Sequence, residues 1–182
     1  MTPDGRIIVG VGDCRIARLP TPTIATYALG SCIAVIAYDW RRKTGGLLHV
    51  MLPDSSLDPK KAAINPYVYA DTGVPALLRE MDSMGSPKTQ LRWSLAGGAR
   101  MMADSSHFAI GKRNHMALKK IFWQLGMFVE HEDIGGEESR SVWLDLRTGR
   151  IDLRKGTSVE QVLARGVLSF EKGNAGDASL TR

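Results

Sequence analysis

No apolar run in this 182-residue chain approaches the roughly 20 residues needed to cross a bilayer. The first ten residues, MTPDGRIIVG, have no basic stretch leading into a long apolar core, so neither a membrane span nor an export signal is expected. Cysteine is scarce as well: Cys14 and Cys32 are too few for a disulfide scaffold, and in a chain without an export signal both are expected to stay reduced in the cytoplasm. Histidine is equally sparse, and His107, His115 and His131 have no cysteine or histidine at metal-ligand spacing, so no metal is expected. Gly10-Val11-Gly12 is followed by Asp13-Cys14-Arg15 where a dinucleotide fingerprint needs another glycine opening a helix, so no cofactor is expected either. Repeats and low-complexity tracts are missing. The 24 basic residues exceed the 19 acidic ones by 24 − 19 = +5, but they are scattered. Their densest group, Arg41-Arg42-Lys43, sits in a turn without interleaved aromatics, which argues against nucleic acid and leaves a mild attraction to acidic protein surfaces.

What is present suits one globular domain: 43% of the residues are hydrophobic, and the length allows a substantial core. Residues 6–11, 23–29, 32–38 and 46–51 are short, rich in β-branched and apolar types, and bounded by turn residues, which predicts strands. The turn 39–45 makes a hairpin of the third and fourth. Val74, Leu77, Leu78 and Met81, and again Leu118, Ile121, Phe122 and Leu125, follow the i, i+3, i+4, i+7 spacing of an amphipathic helix. Asp71 and Asn114 stand as N-caps for these two helices, with Gly85 and Gly126 as stops. Residues 91–96, 127–133, 141–145 and 150–153 read as further strands, and Thr148-Gly149 as a hairpin turn. Strands outnumber helices without regular alternation, so the expected class is α+β, with mixed, sandwich-like β-sheets and helices packed on one side. The main domain is expected over 1–156. A C-terminal extension over 157–182 is expected to hold a short helix at 157–163, on the capping-box spacing of Ser158 and Gln161, and then a small, polar, disordered tail.

Two residues stand out chemically. In TYALGSCIAVIAYD, Cys32 follows the tight turn Gly30-Ser31, where backbone N–H groups can be exposed beside the thiol as an acyl-transfer enzyme requires. A small buried hydrophobe at the head of a strand is the plainer account of a lone cysteine. His49 interrupts the apolar strand Leu47-Leu48-His49-Val50-Met51, where an imidazole is costly to bury without a partner. It is either a satisfied core histidine or, if the hairpin brings it back toward Cys32, a base that generates thiolate near neutral pH.

LGSCIAV followed by GGLLHVMLPDS, with 49 − 32 = 17 positions from cysteine to histidine, resembles the CheD family of chemoreceptor glutamine deamidases. YADTGVPALLREM, AGGARM, IGKRN and DIGGEESRSVWLDLRTGRI follow in the family's order, and the resemblance spans residues 8–154. It implies Cys32 as nucleophile, His49 as base, and a threonine six positions before the cysteine, here Thr26, as third member of the triad. It also implies a β-sandwich flanked by helices, similar to the catalytic domain of a bacterial toxin that deamidates glutamine in host GTPases. The activity implied is conversion of glutamines of methyl-accepting chemoreceptors to glutamate with release of ammonia through a cysteine thioester. A rival reading is a non-enzymatic chemotaxis regulator that binds a CheC-type phosphatase, which the resemblance also offers as a second partner.

The pairs Gly97-Gly98 and Gly135-Gly136 are turns or places of close backbone approach. Trp93, Trp123 and Trp143 are expected mainly in packing, and Trp40 at an exposed turn. Cys14 is not a usual feature of the family and has no imidazole partner in the sequence.

Overall fold

The short β-branched segments assemble into two mixed sheets. The computed structural model describes residue 2 and residues 5–100, 109–158 and 161–166. In chain order the strands are β1 (Ile7–Val9), β2 (Cys14–Arg18), β3 (Thr23–Leu29), β4 (Ile33–Asp39), β5 (Thr44–Val50), β6 (Arg92–Gly97), β7 (Val129–Ile134), β8 (Arg140–Asp145), β9 (Ile151–Lys155) and β10 (Gln161–Ala164). The helices are α1 (Pro59–Ile64), α2 (Ala70–Ser83) and α3 (Ile110–Gln124). The first sheet runs β1-β3-β8-β9-β10 and the second β2-β5-β4-β6-β7. Each contains one parallel pair, β1 with β3 and β6 with β7, among antiparallel neighbours. The class is therefore α+β with mixed sheets, as the sequence predicts.

Every residue of β4 and β5 is buried, because both faces of the second sheet are covered. On one face Val35, Leu48 and Val50 meet Val74, Leu77 and Met81 of α2 and Leu118 and Phe122 of α3. The edge-to-face contact of Trp93 with Phe122, ring centroids 5.3 Å apart, belongs to this layer. On the other face Ala34, Ile36 and Leu47 meet Ile24, Leu29, Val142 and Leu144 of the first sheet. The order of layers is thus sheet, sheet, helices, and the spacing of two along β4 and β5 assigns alternate side chains to two different cores.

The hairpin joining β4 to β5 is present: Asp39 lies opposite Thr44, and the buried Asp39 carboxylate accepts from the backbone N–H groups of Arg41 and Arg42. This Asx turn fixes the register that sets Ala34 opposite His49.

Several expectations at the edges are corrected. β2, not expected as a strand, pairs with β5 from Cys14 to Arg18; its alternating burial is broken by arginines, which hide the pattern. Where a short helix is expected over 157–163, the chain turns through 156–158 and Gln161–Ala164 forms β10, antiparallel to β9. Completing the exposed edge of β9 satisfies more backbone groups than a seven-residue helix could. The expected tail beyond residue 172 lies outside the described residues. Asp71 falls within α2 rather than at its cap, which is Tyr69, and Asn114 lies inside α3, whose cap is Ala109.

Candidate active site

His49 lies on the face of β5 that looks into the seam between the sheets. Its backbone N–H donates to the Asp13 carbonyl (3.0 Å), and its own carbonyl accepts from the Gly12 N–H (2.9 Å), so the loop after β1 continues the ladder beside it. Across the seam, on β3 of the other sheet, stands Thr26. Its hydroxyl oxygen is 2.8 Å from His49 Nδ1 and 2.8 Å from the carbonyl oxygen of Val9. A hydroxyl has one proton, and the Val9 carbonyl can only accept it. Nδ1 must therefore carry the imidazole proton and donate it to Thr26, which leaves the Nε2 lone pair free. Nε2 is buried and has no hydrogen-bond partner among the described residues. It is one of four buried side-chain polar atoms without a partner among the described residues, with Asp39 Oδ2, Ser86 Oγ and Asn114 Oδ1, and an imidazole nitrogen in that state can serve as a general base.

Cys32 immediately precedes β4 and packs against the inter-sheet core. Because Ala34 is opposite His49, Cys32 and His49 are diagonal neighbours on one face of the β4–β5 pair, the relation in which long side chains still reach one another. The methyl group of Ala34 leaves the space above it to the imidazole. Of the three residues singled out in the sequence, Thr26 and His49 are hydrogen-bonded across the seam and fully buried, and Cys32, half-buried, lies diagonally from His49 on the same strand face.

The electrostatics differ from the sequence expectation in one respect. Burial raises the Cys32 thiol above its ordinary value, only partly offset by its own backbone N–H. Burial also pushes the His49 imidazole down to about 4. A thiolate–imidazolium pair would place two charges in this apolar seam, so the resting pair is neutral thiol and neutral imidazole. Cys14 is buried beneath α2, and burial followed by the Glu80 and Asp13 charges raises its thiol as well.

The turn bearing Cys32 is held from behind. Gly98 N–H donates to the Cys32 carbonyl and Ala99 N–H to the Gly30 carbonyl, both at 2.8 Å. Gly97 has φ +122°, and a Cβ there would stand 2.2 Å from the Cys32 oxygen. The glycine pair thus admits the turn that bears Cys32. Gly135 and Gly136 brace it in turn, through Gly135 N–H to the Gly97 carbonyl (2.9 Å) and Arg100 N–H to the Gly136 carbonyl (2.8 Å). Gly97→Ala is accordingly expected to lower the unfolding free energy by about 3 kcal/mol, since left-handed strain and a backbone clash act together. Urea denaturation checks this, and an unchanged midpoint would contradict the tight packing of the turn.

Sequence reading misses Asn114, expected only as a helix cap. It is fully buried, and its side-chain N–H groups donate to the carbonyls of Ser31 and Met51, both at 3.0 Å. Only the family-like string IGKRN could have drawn attention to it. Trp123, expected in packing, is 82% exposed near the end of α3. Among the described residues no three His, Cys, Asp or Glu side chains converge as metal ligands would.

The structure thus sets a buried, threonine-paired imidazole on the same strand face as a half-buried cysteine at a braced glycine turn, an arrangement that suits acyl transfer. The family model described as CheD chemotactic sensory transduction matches residues 51–155, and the chain belongs to the CheD family. That matched segment begins just after His49. The chain is 47% identical over 150 residues to a Solibacter usitatus protein named probable chemoreceptor glutamine deamidase CheD, covering 82% of this chain and 89% of that one. It is 44% identical over 147 residues to a Syntrophus aciditrophicus protein named probable chemoreceptor glutamine deamidase CheD 1, covering 81% and 92%. A Pyrococcus abyssi relative of the first name is 38% identical over 161 residues, 86% of this chain and 97% of its own.

Proposed function

We propose that this chain is a protein-glutamine deamidase acting on chemoreceptors in the cytoplasm, with Cys32 as nucleophile, His49 as general base and acid, and Thr26 as orienter. The observation that carries the reading is the unpaired Nε2 of a histidine whose Nδ1 proton is committed to Thr26, on the same strand face as a half-buried cysteine.

Nε2 takes the thiol proton as the sulfur attacks the carboxamide carbon of a glutamine, and the carbonyl electrons move onto oxygen. The Cys32 N–H faces that oxyanion. The tetrahedral adduct collapses, the C–N bond breaks, and the imidazolium proton leaves with ammonia. Water then attacks the thioester with Nε2 again as base, and the C–S bond breaks to return the thiol and a glutamate. Thr26 fixes the tautomer without adding charge, so the imidazolium is stabilised less than a carboxylate would stabilise it. Retention of all three residues speaks for turnover rather than a purely regulatory role.

The test is incubation with a receptor cytoplasmic fragment, following ammonia release and the peptide mass change that marks amide converted to acid. Ammonia from the receptor but not from free glutamine is expected; a receptor unchanged at every glutamine overturns the reading. With a net charge of +5, kcat/KM on an acidic receptor segment should fall several-fold as the screening length shrinks from about 30 Å at roughly 0.01 M salt to about 3 Å at roughly 1 M. A flat response would place the basic charge away from the docking face.

A further inference from the structure

The proposed chemistry leaves several buried polar groups unused, Asn114 among them. Asn114 reaches from α3 into the point where β4 and β5 part. Ile33 opposite Val50 is the last rung of that ladder, and the Met51 N–H has already turned away to the Val68 carbonyl. Beyond it, the carbonyls of Ser31 and Met51 both accept from the single side-chain amide of Asn114. A side chain thus supplies the rung that the diverging backbones no longer make. The orientation is fixed by chemistry, because a flipped amide would set its oxygen against two carbonyl oxygens. α3 can come this close because Gly111 has no side chain: a Cβ there would lie 2.4 Å from the Gly98 oxygen.

We propose that Asn114 is a positioning residue of this site, aiming the Cys32 N–H at the oxyanion by holding the Ser31 carbonyl. In a trans peptide the C=O and the next N–H point in opposite directions. Drawing the Ser31 oxygen toward the helix layer therefore turns the Cys32 N–H toward the seam, where the sulfur and His49 lie. The other side of Cys32 is held too, since its own carbonyl accepts from Gly98 N–H. The peptide cannot rotate to offer its N–H elsewhere. Consistent with this, the Cys32 N–H favours the thiolate of its own side chain against the burial that opposes it. Asn114 touches neither substrate nor the reacting atoms. Its effect passes through the Ser31–Cys32 peptide.

The inference rests on the deamidase reading, and its test separates the two. Asn114→Leu keeps the branched shape and a good helix former while removing both donors; Asn114→Asp is isosteric and replaces the amide with at most one O–H donor, in case leucine disturbs the fold. For each, kcat and KM on the receptor fragment are measured per alkylatable Cys32, and the pH profile of Cys32 alkylation by iodoacetamide is followed by site-resolved mass spectrometry. Expected are a kcat about 100-fold lower, as for loss of one oxyanion donor, with KM little changed. The alkylation profile of Asn114→Leu should move up by about one pH unit, as loss of a hydrogen bond to a thiolate requires. A kcat per site unchanged in both variants, or an unmoved alkylation profile, overturns the inference and leaves Asn114 as a packing residue. A wild-type protein silent on receptors, whose alkylation profile still shifts in Asn114→Leu, overturns the deamidase reading and not this one.

Discussion

Cys32→Ala is expected to be a folded protein that releases no ammonia from any receptor, and His49→Ala to lose at least about 1,000-fold in kcat. The double variant should be little worse than either single one, because a nucleophile and its base act as a unit. The reason is structural: burial raises the thiol, and His49 on the same strand face presents a buried Nε2 with no hydrogen-bond partner among the described residues. Thr26→Val, of nearly the same shape, should fall between, because it frees the imidazole to adopt the wrong tautomer while leaving both reacting atoms in place. Ammonia release and circular dichroism on the four proteins check the series. Undiminished turnover by Cys32→Ala would falsify the nucleophile assignment.

The second large effect is on stability in acid. The folded imidazole of His49 sits near 4, against an ordinary value of 6.5, because burial disfavours its charged form. The unfolded chain therefore takes up a proton at this residue as pH falls through 6.5, while the folded protein does not until about 4. Stability should fall across that window and level off below it, by a total of about 3 kcal/mol. In neutral solution the contribution is fully present. Urea midpoints from pH 7 to 4 for the wild type and for His49→Gln, which has no titrating group there, isolate the effect, since all other titrations are shared. Two parallel curves would mean that His49 is solvated in the folded state. The folded enzyme takes up its own proton at this imidazole only near 4, which removes the base, so activity should hold through the upper part of that window and decline toward pH 4.

Two of the proposed site residues stand out because they break local rules, a histidine in an apolar strand and a cysteine after Gly30-Ser31 where a turn must reverse, whereas Thr26 comes only from the family resemblance. The hairpin was legible from its charged turn, and the two long helices from their periodicity. What a linear pattern could not convey was the second sheet face. β4 and β5 read as largely apolar strands, β5 interrupted by His49, and only the fold shows which alternate residues face α2 and α3 and which face the seam. Asn114 illustrates this best: its residue type suits a helix cap, yet it lies one turn inside α3, where two carbonyls 83 and 63 residues away in sequence require its amide. Nor could the sequence reveal that the thiol rests protonated, since an imidazole neighbour and burial push in opposite directions and only depth decides between them. Trp123 shows the limit in the other direction, for its large apolar ring fits the helical period but ends in solvent.

The complete burial of β4 and β5 has a consequence for how the partners divide the motion of catalysis. Backbone amides of such strands open only when the whole domain does, so this part of the enzyme has almost no local freedom to adapt. Accommodation has to come from the other molecule. A glutamine side chain, with its rotatable bonds and a carboxamide at the tip, can bend and extend into a fixed slot while the backbone bearing it stays outside. The receptor supplies a supple key, and the strands of the second sheet serve as an unyielding lock.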